Sequence, residues 1–252
     1  MTATHVPSPA STAEPFTGES TLAVIAQRSD AHATILDRHH LDFCCGGRRT
    51  LAAACAALGV DVQSLLTALN ATTAAPSAAP QPSIEWDARP LSELIDHIVD
   101  GHHTFTRAAL KRLGPLMQKV GAAHGARHPE LARVATAYFE LAAELEPHMA
   151  REELVLFPYI RRLAVPGAHP ATPPFLTVRN PVRMMMQQHD RAAELLGEIQ
   201  EASRDFAMPD DACRSYMALY GGLGELRLDL LKHVSLENNL LFPRAIALED
   251  AL

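Results

Sequence analysis

Two segments of the sequence repeat one pattern of residues that can bind a metal ion or exchange a proton. The segment HMAREELVLFP begins at His148, and HVSLENNLLFP begins 85 residues later at His233. In each, a glutamate follows the histidine by four residues, at Glu152 and Glu237, so the two side chains lie one helical turn apart. A surface ion pair, worth roughly 0.2–0.5 kcal/mol, or a buried histidine satisfied by its glutamate would explain one copy. Neither explains a second copy before the same Phe-Pro.

The residues before both pairs predict that the histidines and glutamates face a protein core. A shift of 85 residues superposes the apolar positions of the two segments: Leu131 on Tyr216, Val134 on Leu219, Tyr138 on Leu223, Leu141 on Leu226 and Leu145 on Leu230. Their spacing of three and four residues is that of the buried face of a helix, and the histidine and glutamate continue it. Because burial of an unpaired imidazole or carboxylate is costly, these side chains need partners.

Histidines on two other helical patterns supply such partners. His189, in RMMMQQHD, precedes His233 by 44 residues, and the GHHTF segment precedes His148 by 45. A lone histidine on an apolar stripe is usually a satisfied core residue, but these matching offsets give each half a helix with His followed by a helix with His-x-x-x-Glu. Within GHHTF, a helical wheel places His102 among the apolar residues and His103 towards the edge of the stripe. Periodicity alone therefore favours His102.

Four imidazoles and two carboxylates in one core indicate a site for two metal ions. Six such ligands exceed the four of a closed zinc site. They suit a pair of iron ions, each with two or three histidines, with both carboxylates bridging and an oxo or hydroxo group completing the bridge. The positive charge of the metal ions makes the burial of two carboxylates tolerable.

Four long helical patterns position these residues and predict an all-α fold, an antiparallel four-helix bundle. The patterns run from about 91 to 113, from 129 to 162, from 180 to 205 and from 210 to 248. The first stops at Gly-Pro, and the third opens with Asn180 as N-cap and Pro181 at the first helical position. Pro147, Pro158 and Pro243 fall inside or near the end of helical patterns, where they predict local kinks or breaks.

Composition divides the chain into four parts. Their predicted bounds are a disordered extension at 1–18, a small helical domain at 19–70, a linker at 71–83 and the bundle at 84–252. The extension and the linker are rich in Pro, Ala and Ser, and such segments bury too little apolar surface to offset the entropy lost on ordering.

The overall charge and cysteine content exclude several classes of function. The formal net charge is −7, no dense run of Lys or Arg occurs, and aromatic residues make up 5% of the chain. These values argue against nucleic acid or a membrane as a partner. With no signal-like N-terminus and no apolar run of spanning length, we expect a cytoplasmic protein. Four cysteines in a chain of this size do not form a disulfide framework.

The adjacent residues Cys44 and Cys45 are a candidate thiol relay. A disulfide between neighbours is strained, because their Cα atoms lie about 3.8 Å apart. They precede the helical pattern TLAAACAAL, whose N-terminal dipole, together with Arg48 and Arg49, is expected to lower a thiol pKa. The thiols are then reactive or able to accept iron. The alternative is a pair of small buried residues in a tight turn, and the other two cysteines are expected to be core residues.

The pattern resembles that of hemerythrin-like di-iron bundles. The whole chain resembles the iron-sulfur cluster repair family, also called repair of iron centres proteins, in which a small domain with a Cys-Cys-Gly-Gly loop precedes the bundle. The matching segments, in the order of the family, are LDFCCGGRRTL, LSELIDHIVDGHH, HMAREELVLFP, QQHDRAAELL and HVSLENNLLFP. They extend from about residue 20 to 245.

The resemblance implies a set of metal ligands. Carried over position by position, these are His103, His148, Glu152, His189, His233 and Glu237. It selects His103 over His102, because IDHI aligns without a gap up to that position. Glu144 matches an acid that the family places near the route to the metal ions. Gln188 departs from the family, which has an acid there.

The function implied by the resemblance is repair of iron-sulfur clusters damaged by nitrosative and oxidative stress, with this protein as a non-enzymatic iron donor. The alternative is a buffer or sensor that binds nitric oxide or oxygen at the di-iron site. The expected partners are therefore damaged iron-sulfur proteins and these small ligands. Whether the small domain forms a homodimer is left open, and no residue is assigned to catalysis.

Overall fold

A computed structural model describes residues 14–74, 86–167, 171 and 173–252 of the chain. Among these residues there is no β-strand, which confirms the all-α prediction. The small domain holds four helices, with bounds α1 Leu22–Arg28, α2 Asp30–Arg38, α3 Leu51–Leu58 and α4 Val62–Ala74. The hydroxyls of Thr21, Ser29 and Thr50 cap the first three at their N-termini, as expected for Ser and Thr at this position.

The second part is the predicted four-helix bundle, built from four rods. Their α-helices are α5 Leu91–His97 and α6 Thr104–His124, α7 Glu130–Arg151 and α8 Phe157–Leu163, α9 Arg179–Ala202, and α10 Arg214–Leu236 and α11 Phe242–Asp250. Helix α7 packs on α9, and α6 packs on α10. None of the helices in the described ranges is long and apolar enough to cross a membrane.

Three of the four rods are interrupted by a π-helical turn. These turns are Ile98–His103, Glu152–Leu156 and Glu237–Leu241. The second and third immediately precede Phe-Pro, and there the amide of the Phe donates to the carbonyl five residues earlier. In an α-helix the ring of Pro158 or Pro243 would clash with the carbonyl four residues back, and the wider turn relieves this clash. The kinks predicted at these two prolines are therefore π turns, whereas α7 continues through Pro147.

The first bundle helix is longer than the sequence prediction. It was expected to stop at Gly-Pro, but α6 continues through Pro115 to His124. A proline inside a helix costs about 3 kcal/mol. Here Leu113, Met117 and Val120 are buried in the main core of the bundle on both sides of the proline, and this packing holds the helix together.

The third bundle helix begins without the predicted cap. Helix α9 starts at Arg179 with Val178 at the cap position, so Asn180 lies in the first turn. The carboxylate of Glu249 accepts from the backbone amide of Val178 at 2.9 Å, and the side-chain amide of Asn180 instead donates to the Phe175 carbonyl at 2.9 Å. A distant acid therefore replaces the local cap, which sequence reasoning could not identify. The helix also ends at Ala202 rather than 205, because the backbone turns left-handed at residues 204–206.

The small domain is docked on the fourth rod through α10. Leu231 and Val234 of α10 belong to the apolar core of the small domain. Ion pairs at 2.6 Å join Arg227 to Asp37 and Lys232 to Asp30. The docking holds the segment after α2 against the bundle, where the Ser235 hydroxyl donates to the Phe43 carbonyl at 3.2 Å.

Both ends of the small domain extend beyond their predicted bounds. Phe16 was placed in the disordered extension, but it is buried in the small-domain core and exchanges backbone hydrogen bonds with the Asn70 side chain at 2.8 and 3.1 Å. Helix α4 continues to Ala74, four residues into the predicted linker. Residues 1–13 of the extension and 75–83 of the linker lie outside the described residues.

Candidate metal centre

The π turns bring the predicted metal ligands to one level of the bundle. Glu152 and Glu237 begin two of these turns, and His103 ends the third. A wider turn rotates the following residues relative to a regular helix, by up to about 100° for a one-residue bulge. This rotation turns His103 inward, which a wheel of 3.6 residues per turn cannot predict. His102 is buried beside the centre and contacts Asp229 at 3.0 Å, so the structure brings His103 rather than His102 into a cluster, against the preference of the wheel.

All six predicted ligands meet in the core and form two clusters. The first cluster contains His103 and His233, and the second contains His148 and His189. In each cluster the two Nε2 atoms lie 3.2 Å apart. Both clusters include Glu152 and Glu237, which are fully buried. Each cluster takes one histidine from each half of the repeat, a cross-pairing that the sequence prediction did not contain.

The two carboxylates span the clusters, with one oxygen at each. Glu152 places Oε2 3.4 Å from His103 and Oε1 3.3 Å from His148. Glu237 places Oε1 3.1 Å from His233 and Oε2 3.1 Å from His189. Two donors on one metal ion with bonds of about 2.1 Å lie roughly 3 Å apart at a right angle. The arrangement therefore matches two metal positions bridged by both carboxylates.

Within the described ranges, three of the four oxygens of the buried carboxylates lack a hydrogen bond, and the fourth, Oε1 of Glu237, contacts Nε2 of His233. Among the described residues nothing hydrogen bonds to either oxygen of Glu152 or to Oε2 of Glu237. Leaving a buried charged acceptor unsatisfied costs at least about 1–3 kcal/mol. Metal ions fit this donor set because they bind the unsatisfied oxygens and the converging imidazole nitrogens together.

Three of the four histidines direct Nε2 into a cluster and have a partner on Nδ1 that orients the ring. Nδ1 of His103 contacts Glu153 at 2.6 Å. Nδ1 of His148 contacts the side-chain oxygen of Gln188 at 2.9 Å, and Nδ1 of His189 contacts that of Asn238 at 2.9 Å. An acceptor at Nδ1 fixes the proton there and leaves the Nε2 lone pair for a metal. Nδ1 of His233 has no such partner among the described residues, but the His102 ring stacks on this imidazole with centroids 5.6 Å apart.

Sequence reasoning missed two of these orienting residues. Glu153 and Asn238 each directly follow one of the two buried glutamates, so their equal position in the repeat was the available signal. The repeated Phe also has a role in the centre. The Phe157 ring stacks on His103 and the Phe242 ring on His189, with centroids 5.8 and 5.9 Å apart. The repeated Phe-Pro therefore supplies both the π turn and a wall for one imidazole.

The electrostatics of the centre favour charged carboxylates. Burial alone raises the pKa of Glu237, but His233 and His189 hold it well below its usual range. Burial likewise lowers the pKa of His148, and the Glu152 carboxylate more than offsets this, raising it to about 9. At His233 burial dominates and lowers the pKa. Metal binding requires neutral imidazoles, so a cation bound here would take the place of a proton at His148.

The Cys-Cys loop lies against the same end of the bundle. Cys44 is buried and Cys45 exposed, with sulfurs 3.6 Å apart. The pKa of the Cys44 thiol is raised, chiefly by its contact with Cys45 and by burial. The predicted lowering was wrong for Cys44, because docking on α10 buries this thiol and places it 3.2 Å from the Asp42 carboxylate. Of the other cysteines, Cys55 is buried as expected, but Cys213 is exposed.

A pocket connects the loop with the second cluster. It is lined by Cys44, Glu144, His148, Gln188 and His189, by His233 of the first cluster, and by further apolar residues. Glu144 is exposed one turn before His148, where the resemblance places an acid near the route to the metal ions. The acid expected at 188 is replaced by an amide that holds His148 in place.

Comparison with known families accounts for both parts of the chain. Residues 94–245 match the family described as the hemerythrin HHE cation binding domain. Residues 18–73 match a domain of unknown function named ScdA_N. The first match covers all six residues of the two clusters. Together with the donor atoms, it indicates a metal centre of the kind that suits iron.

Similar proteins from several bacteria carry one name. The iron-sulfur cluster repair protein YtfE of Escherichia coli O17:K52:H18 (strain UMN026 / ExPEC) is 36% identical over 228 residues, 90% of this chain and 94% of its own length. The protein of the same name from Shigella boydii serotype 4 (strain Sb227) gives the same values. That of Yersinia pestis (strain Pestoides F) is 35% identical over 209 residues, 83% of this chain and 88% of its own length. The chain therefore belongs to the iron-sulfur cluster repair protein family, with a hemerythrin-like cation-binding domain.

Proposed function

We propose that the two clusters hold a pair of iron ions, with Glu152 and Glu237 as the bridging carboxylates and an oxo or hydroxo group between the metals. The placement of one carboxylate oxygen at each cluster supports this assignment. The oxidation state of the iron pair would set how tightly each iron is bound. The protein residues hold, orient and shield the pair.

The function that these features support best is repair of damaged iron-sulfur clusters by donation of iron. The relatives carry the name of iron-sulfur cluster repair proteins. The observation that carries the donor role is the asymmetry of the centre. His148 and His189 are both oriented by neutral amides and both line the pocket that reaches Cys44. In the other cluster His103 is oriented by a carboxylate, and only His233 lines the pocket. A neutral partner makes an imidazole a weaker ligand than an anionic partner does. The His148 and His189 cluster is therefore the position from which iron leaves as cargo.

The Cys-Cys loop is the proposed point of contact with the damaged protein. Cys45 is exposed, and its sulfur lies 3.9 Å from the Asn238 amide nitrogen. The same side chain accepts from His189, and its amide group also contacts the Cys44 carbonyl at 3.4 Å. A change in the loop on docking is thus transmitted to a ligand of the exchangeable iron through a single residue.

Transfer of iron to a damaged cluster tests this function. The iron-loaded protein is incubated with a dehydratase whose cluster has been damaged by nitric oxide, and recovery of dehydratase activity is compared with that given by equal free iron. We expect faster and more complete recovery with the protein, and a loss of this advantage in Cys45→Ser, whose exposed side chain keeps the fold intact. Recovery no better than with free iron contradicts the donor role.

The pocket beside His148 and His189 also favours a second candidate function, the binding of nitric oxide or oxygen. Titration of the reduced protein with nitric oxide distinguishes the two functions, because donation requires the iron content to fall. A tight, stoichiometric and reversible complex with two irons retained supports the ligand-binding function.

A further inference from the structure

A second group of metal-ligating side chains lies at the opposite end of the bundle. It consists of His124, His128, Asp211 and Cys213, here termed the distal cluster. His124 Nε2 lies 3.3 Å from the Cys213 sulfur, and His128 Nε2 lies 2.8 Å from Asp211 Oδ1. Donor atoms of the two histidines and Asp211 all lie within 4.8 Å of one another. Helix α6 separates His124 from His103 by its whole length of 21 residues, which corresponds to about 30 Å.

The local backbone brings these four side chains together. The amide of His128 donates to the His124 carbonyl at 2.9 Å, so one more helical turn after α6 keeps the two imidazoles on the same face. Asp211 and Cys213 lie just before α10. Cys213 occupies the N-cap of that helix in an extended conformation and makes no side-chain capping bond. Ser, Thr, Asp or Asn is usual at this position, whereas here the thiol faces an imidazole.

His124 shows the unsatisfied polarity of a metal ligand. It is 94% buried, because only 6% of its surface is exposed. Nδ1 has no hydrogen-bond partner among the described residues, and the only contact of Nε2 is the weakly bonding sulfur. A buried imidazole is normally held by a strong donor or acceptor. A cation between His124 and Cys213 would satisfy the ring.

The other ligands already have orienting partners. Nδ1 of His128 contacts the Glu130 carboxylate at 3.0 Å, which directs Nε2 towards Asp211. The second oxygen of Asp211 lies 3.1 Å from Arg127, so one carboxylate oxygen remains available. The ring of Tyr216 lies against His128 with centroids 5.6 Å apart and closes one side of the cluster. This is the arrangement by which outer residues fix metal ligands.

We propose that the distal cluster binds one zinc ion through His124, His128, Asp211 and Cys213. Two imidazoles, one thiolate and one carboxylate form a four-coordinate donor set of mixed nitrogen, oxygen and sulfur atoms, which suits zinc. The six-ligand centre at the other end contains no sulfur, so the two sites differ in donor chemistry. The zinc ties the end of α6 to the start of α10, and it stabilises the folded chain by mass action.

Metal counting on the iron-loaded full chain tests the site. After incubation with a small excess of zinc and dialysis, elemental analysis should give one zinc per chain with the iron content unchanged. Asp211→Asn and His128→Ala alter side chains at the edge of the cluster and should fold normally. Each should weaken zinc binding by more than the roughly 10–100-fold typical of outer-residue changes, whereas the exposed control His39→Ala should bind like the parent chain. Unchanged iron content shows that the variants are folded.

A sulfur ligand gives an independent readout. With cobalt in place of zinc, the parent chain should show a near-ultraviolet thiolate-to-cobalt band that Cys213→Ser lacks and Cys45→Ser retains. The proposal is overturned if zinc binds only by displacing iron. It is also overturned if both edge variants, Asp211→Asn and His128→Ala, retain the zinc. Loss of the zinc in Cys45→Ser alone also overturns it, because the metal then belongs to the Cys-Cys loop. Since the iron content is measured separately, failure here is distinct from failure of the proposed repair function.

Discussion

The two repeated segments of the bundle follow the same backbone path but carry different residues directly after the buried glutamate. Each runs from an α-helix into a π turn at this glutamate and then into Phe-Pro. The residue after the glutamate is Glu153 in the first segment and Asn238 in the second. Both orient a histidine of another rod, His103 in one case and His189 in the other.

We propose that this difference lets a symmetric set of side chains hold its two metals unequally. Glu153 is charged and is itself held by Arg107 at 2.9 Å, which fixes it against His103. Asn238 is neutral and is held by the Cys-Cys loop. The repeat supplies the positions of the six residues, and we propose that the residue after each glutamate adjusts the strength with which each cluster would hold a metal. His148 and His189, which the neutral amides orient, both line the pocket, whereas the other cluster reaches it only through His233.

We expect the largest effect from loss of a bridging carboxylate, because each segment contributes one glutamate that reaches both clusters. Glu152→Gln and Glu237→Gln should each lose both iron ions, since each carboxylate supplies an oxygen to both clusters. Iron per chain, measured on purified protein, checks this. The exposed Glu144→Gln serves as the matched control and should retain two. Retention of one firmly bound iron in either buried variant would mean that the carboxylates do not bridge.

A change of charge at each of the two orienting residues tests whether the two clusters differ in their affinity for iron. Glu153→Gln should weaken the His103 cluster by about 10–100-fold, and Asn238→Asp should strengthen the His189 cluster and slow iron release. Release to a chelator from the reduced protein is the measurement. Equal release rates in the parent chain and in both variants would show that these residues do not set the affinity.

Substitution of His102 distinguishes a residue that supports the metal centre from one that binds the metal. His102→Gln should keep both iron ions, because His102 contacts Asp229 and stacks on His233 but places no ligand atom in either cluster. It should lower the free energy of unfolding by about 1–2 kcal/mol, since the partly buried Asp229 loses its partner. Urea denaturation together with an iron count checks both parts. His103→Gln, the adjacent control, should lose iron, and the reverse outcome would restore the preference of the helical wheel.

The smallest effect concerns the helices that follow the two π turns. Glu249 of α11 accepts from Tyr159 of α8 and from Thr177 and the Val178 amide. Burial alone raises the pKa of Glu249, but these contacts lower it below its usual range. Its contribution to stability is thus fully present above the unfolded-state pKa and is lost as pH falls through the lower folded value. Glu249→Gln should flatten the acid side of the stability curve, and a melting curve as steep in pH as that of the parent chain would contradict this.

Local periodicity and the repeat predicted the bundle and five of the six converging residues, and the family resemblance supplied His103. Periodicity could not choose His103, since the π turn breaks the 3.6-residue period that the wheel assumes. Sequence reasoning also missed the raised pKa of Cys44 and the cap that Glu249 provides for α9. Both depend on contacts between segments far apart in the chain, and these form only when the fold is complete.

We propose that the repeated His and Glu pairs build one centre for two iron ions. This is tested by Mössbauer spectroscopy of protein loaded with ⁵⁷Fe, combined with elemental analysis. We expect two irons per chain that are magnetically coupled, as is typical of metals bridged by two carboxylates. A single uncoupled iron at this centre, or zinc alone bound by these six residues, would contradict it.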